Sequence, residues 1–228
     1  MRIVTANLQH GHRPPGRPAL AAAVPALRAL GADVWALQEL DRGRRRTRWR
    51  HQGEQLAAAL DGELLWARAK HWCWAAQGNA LVVRGTIADA DTVVLPGPGE
   101  RRVVAVATVV LADGAWSVAC THLSLHGPTA RQQLGAALAV LGERPPPRVL
   151  VGDLNLVPAA VAPLVDDAGY RLLDGPATVD ARAVPSRRLD HVVVQGATFG
   201  DSGVTALPVS DHLAVWGDLS PQVAGADP

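Results

Sequence analysis

The sequence predicts one large α/β domain in which two sheets pack together. Three observations lead there. The 228 residues suit a single domain with a sizeable core. Short aliphatic runs, which read as strands, alternate with alanine- and leucine-rich runs, which read as helices. That alternation occurs in two similar halves, with no Gly- or Ser-rich linker between them.

The elements follow in chain order. Arg2-Ile3-Val4-Thr5-Ala6 is a strand leading to Asn7. Residues 19–30 are a helix stopped at Gly31, and Asp33 then starts a strand through Val34-Trp35-Ala36-Leu37 that leads to Gln38 and Glu39. Residues 52–60 are a second helix, ended by Asp61-Gly62. Residues 79–83 and 102–111 are valine-rich strands, and Asp113-Gly114 signals a hairpin. The next strand, Trp116-Ser117-Val118-Ala119-Cys120, leads to Thr121 and His122. Residues 128–141 are a helix with Pro128 in its first turn, and Pro145-Pro146-Pro147 ends that connection. Val149-Leu150-Val151-Gly152 is a buried strand whose end carries Asp153 and Asn155, and residues 158–168 are a short helix. Two late strands open on polar residues instead: Asp190-His191 before Val192-Val193-Val194, and Ser210-Asp211-His212 before Leu213-Ala214-Val215-Trp216. Residues 1–220 form the expected domain, and residues 221–228 a disordered tail.

Composition excludes several function classes. A formal net charge of +1 provides no global field for nucleic acid or an acidic membrane. Lys70 is the only lysine and arginine supplies the rest of the 22 basic residues, a composition bias and not a function. Cys73 and Cys120 are too few for a disulfide framework or a zinc site and suit a reducing compartment. A strand beginning at Arg2 leaves no room for a signal peptide, and no uncharged apolar run approaches the ~20 residues of a membrane span. The expectation is a cytoplasmic monomer.

If the two late strands run antiparallel to the earlier ones, all the polar strand ends meet on one rim. The set is Asn7, Glu39, His122, Asp153, Asn155, Asp190, Asp211 and His212. Asp153 and Asn155, two apart on an extended chain, would point the same way, and a carboxylate beside a carboxamide suits a hard divalent cation and a phosphate oxygen.

The pieces TANLQHG, LQELD, GNALVVR, THL, GDLN, LDH and SDH, in that order from Asn7 to His212, resemble the endonuclease/exonuclease/phosphatase superfamily of metal-dependent phosphoesterases. Glu39-Leu40-Asp41-Arg42 and Glu100-Arg101-Arg102 also resemble stretches of its small bacterial members. The resemblance implies a four-layer α/β/β/α sandwich, two packed mixed sheets flanked by helices. It implies a magnesium or manganese ion at Glu39, Asn7 and Asp211, with a second ion near Asp153 and Asn155 left open. His212, oriented by Asp190 with its pKa raised, and Asp153 are the acid–base and water-positioning groups; which of them takes the proton stays open. Asn155 and His122 donate to the phosphoryl oxygens.

Bland readings stand beside these. Asp33 only starts a strand, and His191 faces away from Asp190 in a structural role. Arg101 is either a phosphate-facing group or half of a surface ion pair. Six arginines in residues 42–50, Arg45 among them, and the tryptophans Trp72 and Trp74 are either a solvated loop on the sheet edge or a track for a nucleic-acid strand. The substrate is a phosphate ester, with nucleic acid one candidate and a phospholipid or sphingomyelin-type head group, a nucleotide or a sugar phosphate the others. A catalytically silent binding scaffold is the alternative from outside the enzymes, yet all eight rim positions are intact.

Overall fold

A computed structural model of the protein describes residues 1–11, 19–179 and 187–222. Its strands form two six-stranded sheets. The first contains β1 (Arg2–Asn7), β2 (Val34–Arg42), β3 (Glu63–Trp72), β4 (Ala75–Val83), β11 (Ala197–Ala206) and β12 (Leu213–Pro221), in the order β11-β12-β1-β2-β4-β3. The second contains β5 (Thr86–Val94), β6 (Val103–Leu111), β7 (Gly114–His122), β8 (Arg148–Asp153), β9 (Arg171–Leu172) and β10 (Asp190–Gln195), in the order β5-β6-β7-β8-β10-β9. Both are mixed: β1 is parallel to β2 and antiparallel to β12, while β8 is parallel to β7 and antiparallel to β10.

Each inner strand is buried on both faces, which is why it reads as an unbroken apolar run. Alternate residues go to different layers. Ile3, Val34, Leu81 and Val215 of the first sheet meet Val103, Trp116, Val149 and Val192 of the second in a central core. Val4, Trp35 and Leu37 point the other way, onto Leu27 of α1 (Val24–Ala29) and Leu56 of α2 (Gln52–Leu60). Val104, Leu150 and Val193 pack outward on α3 (Gly127–Gly142) and α4 (Pro158–Asp167). In α3 the buried Ala130, Leu134, Ala137, Leu138 and Leu141 recur at helical spacing. The layers are therefore helix, sheet, sheet, helix. Among the described residues no helix is long and apolar enough to cross a membrane.

Several boundaries differ from the sequence expectation. The helix expected over 19–30 is a 3-10 turn, Leu20–Ala22, followed by the short α1, because Pro25 lacks an N–H and fits only the first turn of a new helix. Two residues of the tail expected over 221–228 are paired: Pro221 pairs with Ala197 at the end of β12 and Gln222 N donates to Gly196 O, while residues 223–228 lie outside the described residues.

Candidate active site

Strand register aligns the site in the second sheet. His122 ends β7, Asp153 ends β8 and Asp190 opens β10, and the three are direct cross-strand partners. Gly152 permits this approach: its φ is +150°, and a Cβ there would lie 1.9 Å from the Thr121 carbonyl oxygen. The first sheet supplies Asn7 at the end of β1 and Glu39 in β2. Glu39 has φ +56° and sits where the β2–β4 register shifts. Leu37 and Leu40 on either side both pack toward the helices, so this bulge turns Glu39 out of the strict alternation.

Asn7 joins the sheets. Its Nδ2 donates to Glu39 Oε1 at 3.0 Å and to Asp153 Oδ2 at 3.1 Å, and its Oδ1 accepts from Gln9 N at 3.1 Å. Asp153 Oδ2 also lies 3.5 Å from His122 Nε2 and 3.9 Å from His212 Nε2. On the far side of His212, Nδ1 is 2.8 Å from Asp190 Oδ2. That same oxygen accepts from Thr178 Oγ1 at 2.6 Å, while Thr178 Oγ1 accepts from the backbone N–H of Leu189 and Asp190. The loop before β12 is held by Ser210, whose Oγ donates to the Asn7 carbonyl at 2.6 Å and accepts from His212 N at 3.0 Å.

Burial and charge then set the ionisation of these groups. Burial pulls the His122 ring down to about 4 despite the charge of Asp153, so at neutral pH it is an uncharged imidazole. Burial also pulls on His212, but its hydrogen bond to Asp190 and the charges of Asp190, Asp153 and Asp211 outweigh that and lift it to about 9. Burial raises the Asp153 carboxyl, with the Asp190 charge adding to it and His122, His212 and Asn7 opposing. Oδ1 of Asp190 and Oδ1 of Asp211 are buried without a hydrogen-bond partner. A cluster of carboxylates with orphaned buried oxygens is a donor set that a hard cation would satisfy.

The structure thus brings Asn7, Glu39, His122, Asp153, Asp190 and His212 into one contact chain. Asp211 reaches that chain through His212, its Oδ1 lying 3.9 Å from Nε2, and through Gln9, whose Oε1 accepts from Asp211 N at 3.3 Å. The compact group of ionisable donors among the described residues is Asp153, Asp190 and His212, all within 4.8 Å of one another. Asn155 departs from its expected orientation: at φ +51° it does not continue the strand, and its Nδ2 donates to the Leu123 carbonyl at 2.9 Å. His191 is structural, buried with Nε2 2.8 Å from Leu156 O.

A cleft of roughly 410 Å³ opens from Glu39 and His122. Its basic walls correct the expected substrate contacts. Arg101 is turned away, with Nη1 donating to the carbonyls of Arg68 and Ala69, and its neighbour Arg102 lines the cleft instead. Arg44 and Arg46 line it rather than Arg45. Arg46 is held there by a bidentate pair with the fully buried Asp41, at 2.6 and 2.8 Å. Trp72 lines the cleft, but Trp74 belongs to an adjoining exposed groove with Trp49 and Cys73. Sequence reasoning missed His10, whose Nε2 lies 3.3 Å from Glu39 Oε2, although it stands inside the TANLQHG piece. It also missed Thr178 and Ser210; Thr178 has no sequence signal at all.

A family model described as "Endonuclease/Exonuclease/phosphatase family" matches residues 4–212. Solved structures share the fold. An endonuclease/exonuclease/phosphatase from Beutenbergia cavernae DSM 12333 is 24% identical with a TM-score of 0.83, covering 99% of this chain and 72% of that one. A humanised D. rerio TDP2 is 16% identical with a TM-score of 0.75, covering 96% and 98%. Mannosyl-6-phosphatase Bt3783 of Bacteroides thetaiotaomicron VPI-5482 is 14% identical with a TM-score of 0.72, covering 96% and 99%. No curated protein matches the sequence.

Proposed function

The chain belongs to the endonuclease/exonuclease/phosphatase family, and from that premise we propose that it is a magnesium- or manganese-dependent phosphoesterase. The observation that carries this reading is Asn7, which ties Glu39 of one sheet to Asp153 of the other beside the Asp190–His212 pair. Residues 1–220 act as one catalytic domain, since both sheets contribute to one rim, and as a monomer, since one chain supplies every donor. The two free cysteines fit a cytoplasmic location.

Glu39, with Asn7 beside it and Asp211 closing the shell, would hold the divalent ion. When bound, the ion supplies charge neutralisation at the phosphoryl group and a more acidic water. Asp190 and His212 already spend their facing atoms on each other, so the compact Asp153–Asp190–His212 group serves better as acid–base machinery than as a ligand shell. His212, charged through Nδ1 on Asp190, presents Nε2–H to a phosphoryl oxygen. Neutral His122 contributes a further donor. Asp153, whose carboxyl is raised, takes the proton of the attacking water as its oxygen bonds to phosphorus. The P–O bond to the leaving group breaks, that oxygen takes a proton from solvent, and Asp153 returns its own proton to solvent.

A nucleic-acid strand is the substrate favoured by Arg44 and Trp72 at the cleft. The similarly folded mannosyl-6-phosphatase makes a phosphomonoester the competing reading. Hydrolysis of oligonucleotides, nucleotides, phospholipids and sugar phosphates, with magnesium supplied, tests the assignment. Turnover of none of them would refute it.

A further inference from the structure

Beside His122 the cleft turns basic, and these cations have no part in the cleavage steps above. Lys70 of β3 and Arg102, just before β6, reach it from beside different sheets. One acid holds both: Glu100 is ion-paired to Lys70 Nζ through Oε2, and its Oε1 lies 3.1 Å from Arg102 Nη2. Arg102 is only 8% exposed. Its Nη1 is 3.5 Å from the His122 carbonyl, and its Nε is buried without a partner. Arg44 also lines the cleft, its guanidinium carbon 4.0 Å from the ring centroid of Trp72, two residues after Lys70 in β3. Among the described residues no carboxylate pairs with Arg44.

Three cations therefore face this part of the cleft and one carboxylate opposes them. The neighbouring Arg46 adds nothing to the excess, because Asp41 neutralises it. Holding a buried guanidinium and an ammonium on a single shared acid is a poor arrangement for stability alone, since desolvation of the excess charge is left uncompensated. It is a good arrangement for an anion with several acceptor oxygens, each able to take a charge-assisted N–H. The cleft volume of roughly 410 Å³ is within the usual ~300–1,000 Å³ of ligand sites, and it runs unbroken from Glu39 and His122 to these cations.

We propose that Lys70, Arg102 and Arg44 form a subsite for a second phosphate group, so that the enzyme selects phosphate esters carrying a further phosphate beside the one cleaved. This rests on the phosphoesterase reading and narrows its substrate class. A flanking phosphate of a nucleic-acid strand, the second phosphate of a nucleotide and that of a bisphosphorylated sugar present the same chemistry to these residues.

Three matched pairs separate the sources: a dinucleoside monophosphate with and without a 5′-phosphate, a nucleoside diphosphate against the monophosphate, and a hexose bisphosphate against the hexose monophosphate. In at least one pair kcat/KM should favour the second phosphate by roughly tenfold or more, the size of one charge-assisted contact. The pair that shows it names the source. Lys70→Met and Arg44→Ala should each bring that ratio toward one, mainly through KM. A ratio near one in all three pairs, or a ratio that neither variant changes, overturns the subsite. If no compound is cleaved at all, the phosphoesterase reading fails by itself, and calorimetric binding of the same compounds still decides the subsite. Tighter binding of two-phosphate compounds by the unaltered protein than by Lys70→Met supports it, and equal binding overturns it.

Discussion

Replacing Asp190 by asparagine removes the charge that holds His212 while keeping the shape of the side chain. In the metal-free protein burial lowers the His212 pKa, and the hydrogen bond to Asp190 with the charges of Asp190, Asp153 and Asp211 raises it, to about 9 from 6.5. Only 11% of the His212 side chain is exposed, so water screens the pair little. A rise of that size favours the charged ring by roughly 3 kcal/mol. Because the folded pKa lies above the unfolded one, this stabilisation is fully present below about pH 6.5 and is lost as the pH rises through about 9. In Asp190→Asn burial should dominate and bring His212 to 6.5 or below. The unaltered protein should then exceed the variant in stability by roughly 3 kcal/mol at pH 6, and that gap should close above pH 9. Urea denaturation across this range, with histidine C–H resonances followed by NMR under chelator, measures both quantities. Turnover should fall by roughly 10²–10⁴, the usual contribution of a positioned acid–base group. The reasoning is refuted if His212 titrates near 6.5 in the unaltered protein, or stays near 9 in the variant.

Asp153→Asn should cut turnover by roughly a hundredfold or more while leaving the metal-free protein at least as stable at pH 7, since a carboxyl raised by burial is costly to keep charged; paired kinetics and melting curves check both effects. Arg46→Ala should cost about 2 kcal/mol, the lower side of what stranding a buried charge costs because Arg46 is part-exposed, whereas Arg45→Ala should stay within about 0.5 kcal/mol. Equal effects in urea denaturation would mean that Asp41 does not depend on Arg46. Gly152→Ala should cost at least ~2 kcal/mol through overpacking against Thr121, and a melting temperature unchanged from the unaltered protein would rule out the close β7–β8 approach.

The inner strands were legible because burial on both faces writes them as apolar runs, and their polar ends stood out by contrast. Strands β3, β5, β9 and β11 were not expected, and each is the edge of a sheet. Thr86–Val94 and Ala197–Ala206 are largely exposed, so their sequences carry polar and small residues in place of an apolar run. At the site, residue types were readable but orientation was not. The bulge at Glu39 and the left-handed turn at Asn155 re-aim side chains in ways that strand periodicity cannot show. In a run of six arginines nothing separates Arg45 from Arg46 until Asp41 selects one of them. Arg101 and Arg102 differ likewise only by the side to which each turns.

The central claim is metal-dependent cleavage of a phosphate ester at the rim that Asn7 ties together. Its most direct test is turnover of a phosphate-ester panel by EDTA-treated protein, before and after adding magnesium, manganese or zinc. The account predicts no turnover after chelation, recovery with magnesium or manganese, poor recovery with zinc because nitrogen and sulfur donors are too few, and turnover lower by roughly a hundredfold or more with every metal once Asp153 is asparagine. Full activity after exhaustive chelation would contradict it.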